Sequence, residues 1–257
     1  MTELTAISVR ADGATMSDPS TPTGRACNAE RPAGPVRSTV ATLRSLLVAA
    51  VVAAMVSVGG IAVTGGSDAA AFERLPTNAL APFVTTSARS ALDSHDKYLA
   101  TGDHAAYRSF IHHRTQTAEL AATELGYGEL DMIDAWANTT EVHQRAVLAA
   151  MTQVGVPYRT NTSKPGVGFD CSGLTTYAFS QAGVQLTRQS SAQIREAQPL
   201  DRATAKAGDL VQYPGHVMMY LGVGDAVVHS VMSGRTVELD TISERRSNSV
   251  RFGDPTS

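Results

Sequence analysis

Gly168-Phe169-Asp170-Cys171-Ser172-Gly173-Leu174 sets a cysteine between an acid and a serine, just ahead of an amphipathic run. Leu174, Ala178 and Ala182 recur at helical spacing, and Gly183 follows where a C-cap glycine belongs. The spacing predicts a helix whose first turn holds Cys171. Unpaired N–H groups and the helix dipole at that position favour a thiolate, the form that attacks carbonyl carbon. An isolated cysteine is more often a small buried core residue. The surroundings of Cys171 therefore decide between the two readings.

Downstream, the periodicity changes from helical to alternating. Ala207-Gly208-Asp209-Leu210-Val211-Gln212-Tyr213 reads as a turn entering a strand, and Gly215 to Gly222 as a second strand. Gly222 to Asp225 is a tight turn, followed by strands over 226–230 and 235–239. Between the helix and these strands, 189–193 leads into a loop. A cysteine-bearing helix followed by an antiparallel sheet is an α+β order.

Upstream, 144–154 continues a helix that the capping sequence Asn138-Thr139-Thr140-Glu141 opens. Before it, Leu92, His95 and Leu99 mark a helix broken at Gly102. Asp103 caps the next, whose face carries Tyr107, Phe110, Ile111, Arg114, Ala118, Ala121 and Leu125. Residues 85–143 thus read as a small all-helical module, and 144–257 as the domain that carries the chemistry. His95, His104, His112, His113 and His143 fall in helices at spacings that match no metal motif, and are read as ordinary helix residues.

The N-terminal part has a different character. Residues 1–45 are rich in Thr, Ser, Pro and Gly, without an apolar period, and read as a disordered leader. Arg25, Arg31, Arg37 and Arg44 precede the uncharged run LLVAAVVAAMVSVGGIAV over 46–63, and small residues follow up to Ala71. Residues 46–71 are expected to act as a signal peptide or a membrane anchor, with the arginines inside and all that follows exported. Residues 72–84, with Pro76, Asn78 and Pro82, read as a linker. Of the two cysteines, Cys27 precedes the apolar run. Cys171 is then the single exported cysteine, unable to form an internal disulfide and suspect as a reactive thiol.

A cysteine nucleophile needs a base within hydrogen-bond reach and a group to hold the base's tautomer. His216 opens one strand and His229 lies in the next, across a short turn that sets antiparallel neighbours side by side. Cys171 as nucleophile, His216 as base and His229 as orienting residue form the expected constellation. The Cys171 backbone N–H is a candidate oxyanion donor.

Residues from about 144 to 245 resemble the NlpC family of cell-wall cysteine peptidases, whose fold is papain-like. The resemblance rests on Gly155-Val156-Pro157-Tyr158, Phe169-Asp170-Cys171-Ser172-Gly173-Leu174, Gly208-Asp209-Leu210-Val211, His216-Val217, Tyr220-Leu221-Gly222 and His229-Ser230. It implies the same Cys171, His216 and His229 roles, and it places Tyr158, Asp170 and Ser172 at the oxyanion or substrate side. It also implies cleavage of peptide stems in bacterial peptidoglycan, between D-glutamate and a diamino acid. Two departures bear on substrate. A Gly-Gly pair usual after the tyrosine is replaced by Arg159-Thr160-Asn161-Thr162-Ser163, and Met218 stands where a small residue is usual.

A net charge of −3 offers no basic footprint for nucleic acid. Neither a cofactor nor a metal ion is expected, since spaced Cys/His ligand sets are absent from the sequence. Membrane contact is expected through the N-terminal apolar segment alone. The competing functions are amidase or acyltransferase chemistry on the same residues, or a wall-binding module that is inactive or held shut. The helical module, lying directly upstream of Tyr158, is a candidate for such restraint, relieved by a cell-wall or regulatory protein partner.

Overall fold

The computed structural model describes residues 77–257. The leader 1–45, the apolar segment 46–71 and the first part of the expected linker, 72–76, lie outside the described residues. Among those described, no helix is long and apolar enough to cross a membrane.

Four helices come first: α1 (Ala81–Thr101), α2 (His104–Leu125), α3 (Glu129–Ala137) and α4 (Glu141–Met151). Their ends follow local chemistry. Asp103 accepts from Ala105 N at 2.8 Å at the start of α2, and Thr140 accepts from His143 N at the start of α4. Gly102 and Gly126 close α1 and α2 in the left-handed conformation. The expected linker is shorter than its 72–84 span, because Pro82 sits in the first turn of α1, where its fixed φ and missing N–H suit a helix start. The helix that the Asn138–Glu141 capping sequence was expected to open starts at Glu141 and runs to Met151, so it spans the 143/144 boundary between the expected module and domain.

A short hairpin follows, β1 (Ser163–Lys164) with β2 (Gly168–Phe169). Next come α5 (Cys171–Gln181) and α6 (Ser190–Glu196). The remaining strands are β3 (Gln198–Leu200), β4 (Leu210–Tyr213), β5 (His216–Tyr220), β6 (Ala226–Ser230), β7 (Val237–Thr241) and β8 (Arg251–Asp254). They form one six-stranded antiparallel sheet in the order β3-β8-β4-β5-β6-β7. The α+β class expected from the sequence is the class observed.

The central strands β5 and β6 are buried along their whole length, as befits a sheet covered on both faces. Val211, Met218, Tyr220, Val227, Ile242 and Phe252 form an apolar cluster on one face. The alternate residues Leu210, Met219, Val228 and Leu239 are equally buried, and α5 packs against β5 and β6. Complete burial of each such side chain contributes about 1.5–3 kcal/mol relative to exposure, which is why the strands nearest the helices carry the most apolar sequence.

The helical module docks on the sheet through polar anchors. Trp136 Nε1 donates to Leu221 O at 3.0 Å, and Asp225 N donates to the Tyr127 hydroxyl at 3.1 Å. Asn78 meets β7 with both halves of its amide: its nitrogen donates to Leu239 O at 3.0 Å and its oxygen accepts from Leu239 N at 2.8 Å. One side chain thereby satisfies two backbone groups on an edge strand.

Candidate active site

Local sequence sets Cys171. Asp170 is the N-cap of α5, accepting from Gly173 N at 2.7 Å, so Cys171 is the first helical residue. It is a free thiol, half-buried. Gly173 is required by packing. A Cβ there would lie 2.1 Å from Thr162 O, a backbone atom, so only glycine lets the 159–163 loop cross the helix start. Asp170 N donates to that same Thr162 O at 3.0 Å.

The sheet brings the histidines to this helix end. Opposite residues on β5 and β6 share a face, and their pairing through Met219–Val228 and Tyr220–Val227 places His216 and His229 on that shared face. His216 Nε2 and His229 Nδ1 are 2.7 Å apart, and both rings are buried. Ser230, next to His229, donates to Phe169 O at 2.7 Å, two residues before Cys171. That bond ties the histidine-bearing strand to the approach of the cysteine helix.

Tyr158 is held beside the same approach. Arg159 N donates to Phe169 O at 2.9 Å, Phe169 N donates to Pro157 O at 3.2 Å, and Tyr158 N donates to Arg235 O at 2.9 Å. Asp170 and Ser172 are placed differently from the substrate-side position that the resemblance implied. The Asp170 carboxylate caps α5 and accepts from Arg188 at 2.6 Å, while Ser172 Oγ accepts from the same guanidinium at 2.9 Å. Both side chains are buried and engaged in holding the helix start.

Three residues that the sequence did not single out border the pair. The Tyr213 ring lies 5.1 Å from that of His216, centroid to centroid, and the Arg246 guanidinium lies 4.0 Å above the Tyr213 ring. Burial pushes the Tyr213 phenol up; Arg246 opposes this, and the charge of Cys171 adds to it. Asp240 Oδ2 comes within 3.5 Å of His229 Nε2. That approach is in ion-pair range but off the line of a hydrogen bond, and Nε2 has no hydrogen-bond partner. Proximity to His229 leads in holding the Asp240 carboxyl below its usual range, against burial that would raise it.

These positions order the protons. Burial first, then His229 and Arg246, push His216 down to about 3, so it is neutral near pH 7. The 2.7 Å contact between the two ring nitrogens holds one proton, so one ring donates and the other accepts. With Nε2–H of His216 donating to Nδ1 of His229, the N–H of His229 is on Nε2 and faces Asp240, and Nδ1 of His216 is left with a bare lone pair.

The two departures from the resemblance also have definite places. Asn161 takes φ +55°, the left-handed conformation that a glycine would accept freely and that asparagine tolerates. Met218 is buried in the apolar cluster and does not narrow an open groove. Two anchors of the helical module meet the β5–β6 turn, at the other end of the hairpin from His216, and the third meets Leu239 in the middle of the edge strand β7.

A helix that opens with a cysteine and an antiparallel sheet that carries a buried histidine pair place the protein in the α+β class. Residues 155–253 match the model of the NlpC/P60 family. A probable endopeptidase of Mycobacterium tuberculosis is 41% identical over 101 residues, which are 37% of this chain and 26% of the relative. Peptidoglycan endopeptidase RipB of the same species is 36% identical over 115 residues, 38% of this chain and 48% of the relative. Murein DD-endopeptidase MepH of Escherichia coli is 35% identical over 104 residues, 37% of this chain and 38% of the relative. These matches cover less than half the length of the relatives, and the family match over 155–253 leaves the helical module outside.

Proposed function

We propose that the protein is a peptidoglycan hydrolase, a cysteine endopeptidase acting on the peptide stems of the bacterial wall. The observation that carries this reading is that Cys171 opens α5, whose approach is hydrogen-bonded through Ser230 to the strand that carries His229 of the buried His216–His229 pair. The endopeptidase names of its relatives support the same class of reaction.

In this mechanism Nδ1 of His216 takes the thiol proton of Cys171, and the thiolate sulfur attacks a stem-peptide carbonyl. The oxyanion is met by backbone N–H at the start of α5 and by Tyr158. His216 returns the proton to the leaving amine, and water, activated by the same nitrogen, releases the acyl group. His229 holds the His216 ring and its tautomer, and Asp240 acts on His229 in turn. The bond assigned is that between D-glutamate and the diamino acid. Export by the 46–71 segment is part of the proposal, because the wall substrate lies outside the plasma membrane.

The test is incubation of the full-length chain with defined muropeptides, beside its Cys171→Ala variant, with products read by mass spectrometry. Two stem fragments formed only by the unsubstituted chain support the reading and identify the bond. Release of an intact stem from the sugar, or transfer of an acyl group to an amine, would replace it with amidase or acyltransferase chemistry. Intact substrate with a thiol that no probe labels would overturn the enzyme reading in favour of wall binding.

A further inference from the structure

Far from Cys171 in sequence, three elements bring His143, Asp209 and Asp254 together. His143 lies in the first turn of α4, Asp209 in the turn entering β4, and Asp254 at the end of β8. His143 Nε2 is 3.2 Å from Asp209 Oδ1 and 3.3 Å from Asp254 Oδ1, and the three ligand atoms lie within 4.8 Å of one another. His143 and Asp209 are each only 2% exposed.

At those distances a ring N–H would be expected to donate to one carboxylate. It does not: Nε2 of His143 is buried with no hydrogen-bond partner, so both oxygens lie off the nitrogen's axis. A buried imidazole nitrogen with no hydrogen-bond partner, close to two carboxylate oxygens, is a donor set that a metal ion can take. Zinc-type ions bind imidazole nitrogen and carboxylate oxygen at about 2.0–2.2 Å, and in tetrahedral geometry such ligands stand about 3.3 Å from each other. The two oxygens stand 3.2 and 3.3 Å from Nε2, the separation that neighbouring ligands of such an ion keep.

The surroundings hold the ligands as a metal site needs. His143 Nδ1 is 2.6 Å from the Thr140 hydroxyl, which takes its N–H when Nε2 is a ligand. The ring is edge-on to Phe179, and on its other side it lies against Gly208, where a Cβ would come within 2.6 Å of His143 Cδ2. The second oxygen of Asp209 accepts from Lys206 N at 2.6 Å. Asp254 accepts from Thr256 N and Oγ1 at 2.8 and 2.6 Å and from Ser257 Oγ at 2.9 Å. The Asp254 side chain, 25% exposed, leaves a route from solvent.

We propose that His143, Asp209 and Asp254 bind one divalent transition-metal ion of the zinc type, as a staple joining α4 to the sheet and to the C-terminal strand. The sequence did not reveal it because the ligands come from three separate elements with no motif spacing.

The experiment uses the full-length chain with Cys27→Ala and Cys171→Ala, so that no thiol is a competing ligand, stripped of metal and titrated with Co2+. Binding of one equivalent is expected, with visible d–d absorption, no thiolate charge-transfer band, and displacement by Zn2+. Asp254→Asn, at the most exposed ligand, is expected to weaken binding at least about tenfold while circular dichroism stays native. His143→Gln is expected to abolish it. Absence of stoichiometric binding of either ion overturns the proposal. So does affinity that Asp254→Asn leaves unchanged, a result that stands even if His143→Gln does not fold.

Discussion

Asp240→Asn removes a charge that touches neither Cys171 nor substrate yet acts on both histidines in the proposed mechanism. The catalytic charge forms on His216, on the order of 8 Å from Asp240 through the two contacts of 2.7 and 3.5 Å and the width of the His229 ring. At an effective dielectric constant of about 20, a carboxylate at that distance favours the imidazolium by about 2 kcal/mol. The Asp240 side chain is 39% exposed, so water screens it and about 1 kcal/mol remains. Loss of that stabilisation lowers kcat about fivefold. An asparagine that turns its NH2 toward His229 reverses the proton order and costs more, because Nδ1 of His216 then carries the proton. The assay is muropeptide cleavage with kcat and KM determined separately across pH. A fall in kcat with KM unchanged, and recovery in Asp240→Glu, are expected. An Asp240→Asn enzyme within twofold of the original kcat across the pH range would refute the reasoning.

The depressed His216 also couples stability to acid. The unfolded chain binds this proton near pH 6.5 and the folded chain only near 3, so the contribution is intact above pH 6.5 and is lost as pH falls toward 3. Between pH 7.5 and 4.5 the folded state should lose about 3 kcal/mol from this group, read as a lower denaturation midpoint that His216→Ala makes less steep. Gly173→Ala would drive a methyl into Thr162 O and should destabilise the fold by about 1–3 kcal/mol or more in urea melts. Native stability in that variant would show that the loop can move away. Asn78→Ala leaves both Leu239 backbone groups without their side-chain partner, and a loss of about 2 kcal/mol is expected, with faster hydrogen exchange at Leu239 N as the local signature.

Sequence reading succeeded where the determining chemistry is local. The start of α5 follows from Asp170 as a cap, and its end from Gly183 beyond Gln181. The strand over 226–230 has the bounds expected, because its alternation is bracketed by the Gly222–Asp225 turn. The meeting of His216 and His229 follows from the register that this turn imposes. Strands β3 and β8 were missed because Gln198-Pro199-Leu200 and Arg251–Asp254 are too short and irregular to alternate. Pro199 is tolerated because β3 lies at the sheet edge. Helix α6 was missed for a similar reason, its seven residues being too few to establish a period.

By itself, then, the sequence determined the α+β order, the cysteine at a helix start and the histidine pair, since caps, turns and period-two alternation act between near neighbours in the chain. The tertiary structure alone decided that Asp240 stands behind His229, that Arg188 occupies Asp170 and Ser172, and that Arg246 covers Tyr213. It alone brought His143 to Asp209 and Asp254. Those contacts join residues from different elements, and their distances are set by how the helices pack on the sheet, which no local spacing encodes.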